Sequence, residues 1–473
     1  MAFLIGGANS AATGGFEVAN SCRFNDGDSA KMSKDLGSAT LNTKFTVNVW
    51  LKLGVLGTNR AIFTSRVGTS GTYLNCILND ADQLNIYGPD KDSGNDFDYK
   101  TNRKFRDVGA WYCLTIAMDT TLGTAGDRLR IYVNGVEETS FATETHPAQN
   151  VIYVANYTGF TFVVGARTDD SEYWDGYMAE FVHIDGQQLA PTSFGEFDED
   201  SPTIWKPIDV SELTFGNNGF YLDFEDSSNL GNDANGGTDL TEANLAAADQ
   251  ATDTPTNNFA TFNPLSKDTG GPITYSEGNT IATETANSWT SGHSTSGMFG
   301  GKFYWECKLA SFSGGSASYI GAASADFPPS KSNAGSIIGQ DSLGIGYYAS
   351  DGKVQKDGSD ASYGDSYGAG DIIGMALDLD NNYAYWSKNG TWQNSGDPAA
   401  GSNGVALPSG MTTGLILFSI SPNESVMQAN FGGSSGFAIS SANSDGNGYG
   451  NFEYAVPSGY LSLCTKNLGS DGG

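Results

Sequence analysis

The stretch at residues 370–390, GDIIGMALDLDNNYAYWSKNG, constrains this chain more than any other. Ile373, Met375, Leu377 and Leu379 fall on every second position. That period puts them on one face of a strand, with the intervening residues on the other. Asp378 and Asp380 lead into a turn at Asn381-Asn382, and Tyr383, Tyr385 and Trp386 lie on the return strand. Asn389-Gly390 follows, a dipeptide that tolerates positive φ at both positions and closes a hairpin. Each polar residue in the stretch has a local reason to be there, so the hairpin is scaffold.

The same grammar recurs upstream. FTVNVWLKLG sets Phe45, Val47, Val49 and Leu51 on one face, and WYCLTIAMD does so for Tyr112, Leu114, Ile116 and Met118. RLRIYVNGVE turns Leu129, Ile131 and Val133 inward and ends on the turn pair Asn134-Gly135. Strands with one buried face stack as sandwiches. With 62 glycines, 14 prolines and 16% charged residues, the reading is all-β: two antiparallel β-sandwiches joined by a polar connector.

Charge narrows the function classes. There are 54 acidic against 24 basic residues, a formal net charge of -30. No basic stripe exists to neutralise phosphates, which argues against nucleic acid as a partner. An anionic membrane surface repels such a chain. No stretch approaches the about 18 apolar residues of a membrane helix. MAFLIGGANS lacks a basic start, so it reads as a poor signal peptide. Cys22, Cys76, Cys113, Cys307 and Cys464 form no CxxC pair. They read as buried, reduced thiols of a chain made in a cytoplasm.

Three elements in order, NVWLKLG, then WYCLTIAMD…RLRIYVNGVE, then FVVGARTDDSEYWDGYMAEFVHIDGQQL, resemble a laminin-G-like or concanavalin-A-like jelly roll. The resemblance implies a domain over 16–230 with a closing strand near 220–225, preceded by an arm over 1–15. Residues 231–271 read as an extended connector or a disordered linker. GGKFYWECKLA, the GYY strand leading to DGK, the hairpin above, GLILFSI and the closing NFG resemble a SPRY domain over 272–437, with a tail over 438–473. RFNDGDSAKMSK, TDTPTNNFATFNPL and PSGYLSLCTKNL resemble segments of tailed-bacteriophage structural proteins.

Catalysis can be tested on residues. A retaining glucanase needs two carboxylates about 5–5.5 Å apart, which a strand supplies as Glu-x-Asp-x-x-Glu. Only Glu196 begins that pattern, with Asp198, and Ser201 stands where the last glutamate belongs. His146, His183 and His293 lack metal-ligand spacing. No nucleophile elbow or phosphate loop appears. The expectation is no enzyme. Asp169-Asp170, and Asp90, Asp92, Asp96 and Asp98, form oxygen-rich loops that suit calcium, the one cofactor left open. For sugar stacking the loop aromatics Tyr347, Tyr348, Tyr363, Tyr367 and Trp392 are the candidates, whereas Trp174 reads as framework.

The combined resemblance implies a virion protein made in the host cytoplasm: a fibre, spike or appendage binding a host-surface glycan or protein through sandwich loops. Its other partners are virion proteins and further copies of itself, a trimer by analogy. A capsid or tail decoration and a polysaccharide-degrading enzyme stand as alternatives.

Overall fold

Strand Lys44–Leu53 shows how alternation becomes architecture. Phe45, Val47, Val49 and Leu51 enter the first hydrophobic core, while Trp50 joins a separate cluster on the opposite face. The computed structural model describes residues 15–67, 72–91, 96–266, 273–313, 318–328 and 337–471. It divides between Thr256 and Asn257 into two units. Among the described residues no helix is long and apolar enough to cross a membrane.

The first unit has two large antiparallel sheets around one core, with a small third sheet of Gly195–Phe197 and Trp205–Pro207. One sheet runs Val136–Glu137, Leu129–Val133, Trp111–Asp119, Lys44–Leu53, Gly176–Asp185, Ser21–Phe24 and Gln250–Ala251. Phe220–Leu222 also pairs with Gly176–Asp185. The facing sheet runs Phe141–Thr145, Asp96–Lys104, Gln83–Pro89, Tyr73–Leu78, Arg60–Arg66, Thr161–Val164, Lys31–Asp35 and Thr241–Ala243. Asn134 and Gly135 both take positive φ, at 50° and 75°, so the hairpin turn is of the expected kind. A Cβ on Gly135 would lie 2.3 Å from the Trp205 ring, so that turn needs glycine twice over.

The outer face of the first sheet is also covered. Trp50, Trp111, Cys113 and Tyr177 pack against Val18, Trp205 and Ala251. Val182 and Ile184 pack against Phe194, Val210, Phe215 and Tyr221. This is where the structure departs from an extended or disordered connector. Residues 231–256 belong to the first unit, and Thr241–Ala243 and Gln250–Ala251 each add a strand to it. Asp253, in the same segment, pairs with buried Lys52 at 2.5 Å and accepts from Trp111 Nε1 at 3.2 Å. The segment has few large apolar residues, but its carboxylates find partners in the sandwich wall. Phe259 and Phe262 are buried beyond the boundary, and residues 267–272 lie outside the described set, as does the arm over 1–14.

The second unit repeats the plan. One sheet runs Thr274–Ser276, Ile281–Glu284, Ser425–Asn430, Lys302–Phe312, Ile372–Asp378, Tyr383–Lys388 and Thr391–Trp392, with Val405–Ala406 and Leu461–Ser462 attached. The other runs Gly292–His293, Ile416–Ser421, Tyr319–Ser324, Gly344–Tyr348, Lys353–Lys356 and Ser359–Ser362. Phe303, Trp305, Cys307 and Leu309 point into the core with Ile373, Met375 and Leu377. Asp378 accepts from Asn381 N and Nδ2 at 2.9 Å and from Lys302 at 3.0 Å, which accounts for it as scaffold.

Residues beyond 437, expected as a separate tail, are part of this unit. Tyr460 and Phe452 pack on Tyr304 and Tyr385 over the outer face of the first of its sheets. Glu306 projects from that face and accepts from Glu453 N at 2.9 Å, Tyr454 N at 2.8 Å, Asn430 Nδ2 at 3.1 Å and Tyr304 Oη at 3.1 Å. Asp445 holds the returning chain through Ser462 N at 2.8 Å and Asn467 Nδ2 at 2.7 Å. Buried carboxylates with several donors fix loops that have little apolar surface of their own.

Candidate functional site

The five aromatic candidates separate into three places. Tyr347, Tyr363 and Tyr367 meet in the second core, around Trp386. Tyr347 lies 5.5 Å from Tyr363, 5.1 Å from Tyr367 and 6.0 Å from Trp386 by ring centroid. Their hydroxyls serve the backbone: Tyr363 accepts from Trp386 N, and Tyr367 donates to Ser318 O and Tyr347 O. Tyr347 donates to Asp365 O. These three are structural, which corrects the expectation that they stack on a sugar. Trp392 is half-buried in the cluster that residues beyond 437 cover, 6.5 Å from Tyr304, so its ring also serves packing.

Tyr348 goes the other way. It follows Tyr347 on one strand, so the pleat sends the two rings to opposite faces. On the outer face Tyr348 lies directly opposite Tyr319, with centroids 4.4 Å apart and planes 18° apart. Trp289 leans on both, at 5.5 Å from Tyr319 and 6.3 Å from Tyr348. Tyr319 is 6% exposed, while Trp289 and Tyr348 are partly buried, packed with Ala323, Phe327, Ile337 and Ile338. The result is a ledge of two stacked rings with a third tilted beside it.

The ledge is held in place. Glu284 accepts from Ala286 N at 2.7 Å and Ser288 Oγ at 3.3 Å, and its other oxygen accepts from Glu424 N at 2.6 Å. The loop carrying Trp289 is thereby tied to the sheet. Burial, and then the Asp351 carboxylate, pushes the Tyr348 phenol up. Burial also raises Tyr319, with Tyr348, Asp360 and Asp351 adding to the effect. Neutral rings beside carboxylates offer stacking surface and hydrogen-bond acceptors together. That combination suits a sugar or a peptide side chain.

Sequence reasoning named Tyr348 but missed Trp289 and Tyr319. Adjacent Tyr347 and Tyr348 on a strand cannot share a face, and that rule alone would have split the pair. Tyr319 becomes its neighbour only through the register Tyr319↔Tyr348.

Two of the calcium candidates, Asp169 and Asp170, pair with cations of the chain itself. Asp169 lies 3.5 Å from Arg66 and 3.3 Å from Arg167, and Asp170 pairs with Lys31. Asp98 accepts from Asn85 Nδ2 at 2.6 Å, and Asp92 lies outside the described residues. Among the described residues no group of three or more His, Cys, Asp or Glu is placed to hold a metal ion. Asp169 and Asp170 are ion-pair partners in this structure. Glu196 and Asp198, the fragment of a glucanase pattern, share Lys206 at 3.3 and 3.6 Å.

Comparison with family models places residues 25–186 in the concanavalin A-like lectin/glucanases superfamily and residues 302–401 in the SPRY domain family. A concanavalin A-like domain precedes a SPRY domain in this chain. Among solved structures, the SPRY domain of human HERC1 is similar at 16% identity and a TM-score of 0.24, covering 36% of this chain and 96% of that one. The native heptameric SAP-like pentraxin from Limulus polyphemus is similar at 15% identity and a TM-score of 0.28, covering 37% and 80%. A protein from Bacteroides ovatus, named as a candidate carbohydrate binding protein, is similar at 16% identity and a TM-score of 0.33, covering 49% and 61%. Comparison with curated proteins gives no match. The ring ledge lies on the outer face of the SPRY domain, and two of its rings, Tyr319 and Tyr348, fall within the matched residues.

Proposed function

We propose that this chain is a non-enzymatic binding protein that recognises a glycan or protein on a host surface through the Trp289–Tyr319–Tyr348 ledge. One observation carries the reading: Trp289, Tyr319 and Tyr348 contact one another on the outer face of their sheet, packed with Ala323, Phe327, Ile337, Ile338 and Leu343, and Trp289 and Tyr348 keep part of their surface in solvent. The two domain types support binding, and the outer face of the concanavalin A-like domain's first sheet is filled by its own chain rather than left as a cleft.

Each site of this size binds weakly, so copies on an oligomer supply avidity. The phage-like segments RFNDGDSAKMSK and PSGYLSLCTKNL support placing those copies on a virion, as fibre, spike or appendage. The test is multivalent display of the whole chain on a glycan array and on intact cells. Binding that disappears in Tyr348→Ala supports the reading. Arrays and cells that stay blank at high valency sink it. Copurification with virus particles, with the ledge facing outward, separates adhesion from decoration.

A further inference from the structure

We propose that Lys52 and Asp253 condense to an amide, a covalent staple within the concanavalin A-like domain, and that their buried ion pair is the reactant state. The staple is independent of the ring ledge. Lys52 lies on strand Lys44–Leu53, with Trp111 opposite it on one neighbouring strand and Tyr177 on the other. Asp253 follows Gln250–Ala251, the edge strand of the same sheet. Its backbone oxygen accepts from Ser21 Oγ at 2.6 Å. Its carboxylate is held at both oxygens: Oδ2 accepts from Lys52 Nζ at 2.5 Å and Oδ1 from Trp111 Nε1 at 3.2 Å. Both side chains are 1% exposed.

An ammonium and a carboxylate do not condense in water, because the amine lacks a free electron pair. Burial changes that balance by disfavouring both charges. It lowers the Lys52 pKa against the opposing pull of Asp253 and Asp107, and the Tyr177 ring 5.8 Å from Nζ also favours the ammonium. One proton moving from Nζ to Oδ2 along the existing hydrogen bond gives a neutral amine beside a neutral acid. Nζ then attacks Cγ, which lies one C–O bond beyond the oxygen it already touches. As the C–N bond forms, the carbonyl electron pair moves onto Oδ1, where the Trp111 N–H receives it. Oδ2 takes a second proton from Nζ and leaves as water while the C=O bond to Oδ1 re-forms. No oxidant, metal or further reactant is needed. The product is a neutral amide whose oxygen keeps its bond to Trp111, and the penalty of two buried charges is gone.

Other lysine–aspartate pairs lack this setting. Lys302 and Lys44, paired with Asp378 and Asp119, keep 27% and 30% of their side chains in solvent, and Lys34 stands 3.4 Å from Asp233. The staple joins residues 201 apart, just before the unit boundary after Thr256. A pull on the chain beyond Thr256 then reaches Lys44–Leu53 through a covalent bond instead of peeling Gln250–Ala251 from the sheet edge.

The test is intact mass spectrometry of the full folded chain, sampled from freshly folded protein through prolonged incubation at neutral pH, with peptide mapping. The fresh chain carries the ion pair. With time the mass should fall by one water, trypsin should cease to cut after Lys52, and one branched peptide should join the Lys52 and Asp253 segments. Lys52→Arg, and wild-type chain held in urea, should keep full mass. Trp111→Phe, confirmed as folded by circular dichroism, should form the bond about tenfold or more slowly. Full mass of the folded wild-type chain after the whole incubation overturns the proposal. So does a water lost within a single peptide, as a succinimide at Asp26-Gly27 or Asp175-Gly176 would show, or a link at another lysine. An unchanged rate in Trp111→Phe overturns the part assigned to its N–H.

Discussion

The Tyr221 hydroxyl donates to Glu180 Oε2 at 2.7 Å inside the wall of the concanavalin A-like domain. Glu180 sits in a bulge of Gly176–Asp185 with φ at 50°, where that strand passes from pairing with Ser21–Phe24 to pairing with Phe220–Leu222. Burial, against the opposing effect of the Tyr221 hydrogen bond and with Asp223, Glu225 and Asp209 adding, pushes the carboxyl from 4.5 up to about 8. Between those values the folded chain keeps a proton that the unfolded chain has released. Stability therefore falls as pH rises through that window, by about 1.4 kcal/mol per pH unit from this group alone. Chemical denaturation from pH 5 to 9 should show that slope, and Glu180→Gln should flatten it. Tyr221→Phe removes the donor that favours the ionised form, so the upper end of the titration should move above about 8. A wild-type profile that matches Glu180→Gln throughout contradicts the assignment.

Glu306 is the anchor for residues beyond 437. Glu306→Ala strips an acceptor from two backbone N–H groups, one amide and one phenol, at a cost of about 2 kcal/mol or more. Hydrogen exchange should show the amides of Glu453 and Tyr454 losing protection before the sheet does. Unchanged protection there would mean that the Tyr304–Phe452–Tyr460 packing holds the segment without the carboxylate.

Lys52 and Asp253 are both buried, and burial lowers the Lys52 pKa against the pull of Asp253. Removing one partner leaves an uncompensated charge, so Lys52→Met or Asp253→Leu alone should each cost about 3–5 kcal/mol. The double substitution should recover most of that loss, because the pair's desolvation penalty disappears with it. Denaturation midpoints of the three variants check the cycle, and additive losses would rule out direct coupling.

Tyr347→Ala and Tyr348→Ala should separate stability from recognition. Tyr347 is fully buried, and its loss should cost about 3–5 kcal/mol, the usual range for a large core aromatic. Tyr348→Ala should cost far less and abolish ligand binding. Thermal melts and array binding of the two variants read the two effects apart. Equal destabilisation with retained binding in Tyr348→Ala would return the ledge to ordinary packing.

The five candidate aromatics show where sequence reasoning stops. Tyrosines in DASYGDSYGAGD look like loop residues, yet Tyr363 and Tyr367 turn back under the sheet and spend their hydroxyls on backbone groups. Trp392 is covered by chain that arrives about sixty residues later. The polar segment 231–256 reads as a linker because its apolar residues are sparse, and its carboxylate contacts lie far away in sequence, as Lys52–Asp253 does. Glu180 follows an alternating run, and nothing local marks the bulge that buries it.

Sequence by itself determined the all-β class, both sandwiches, the inward faces of the long strands and the turns at Asn134-Gly135 and Asn389-Gly390. Those follow from steric rules acting within a few residues, the pleat and the positive-φ turn. Only the tertiary structure decided which sheet faces are covered, which carboxylates are buried and which rings remain open. Those outcomes depend on register between strands remote in sequence, such as Tyr319 opposite Tyr348, and a one-residue slip would send each of those side chains to the other face.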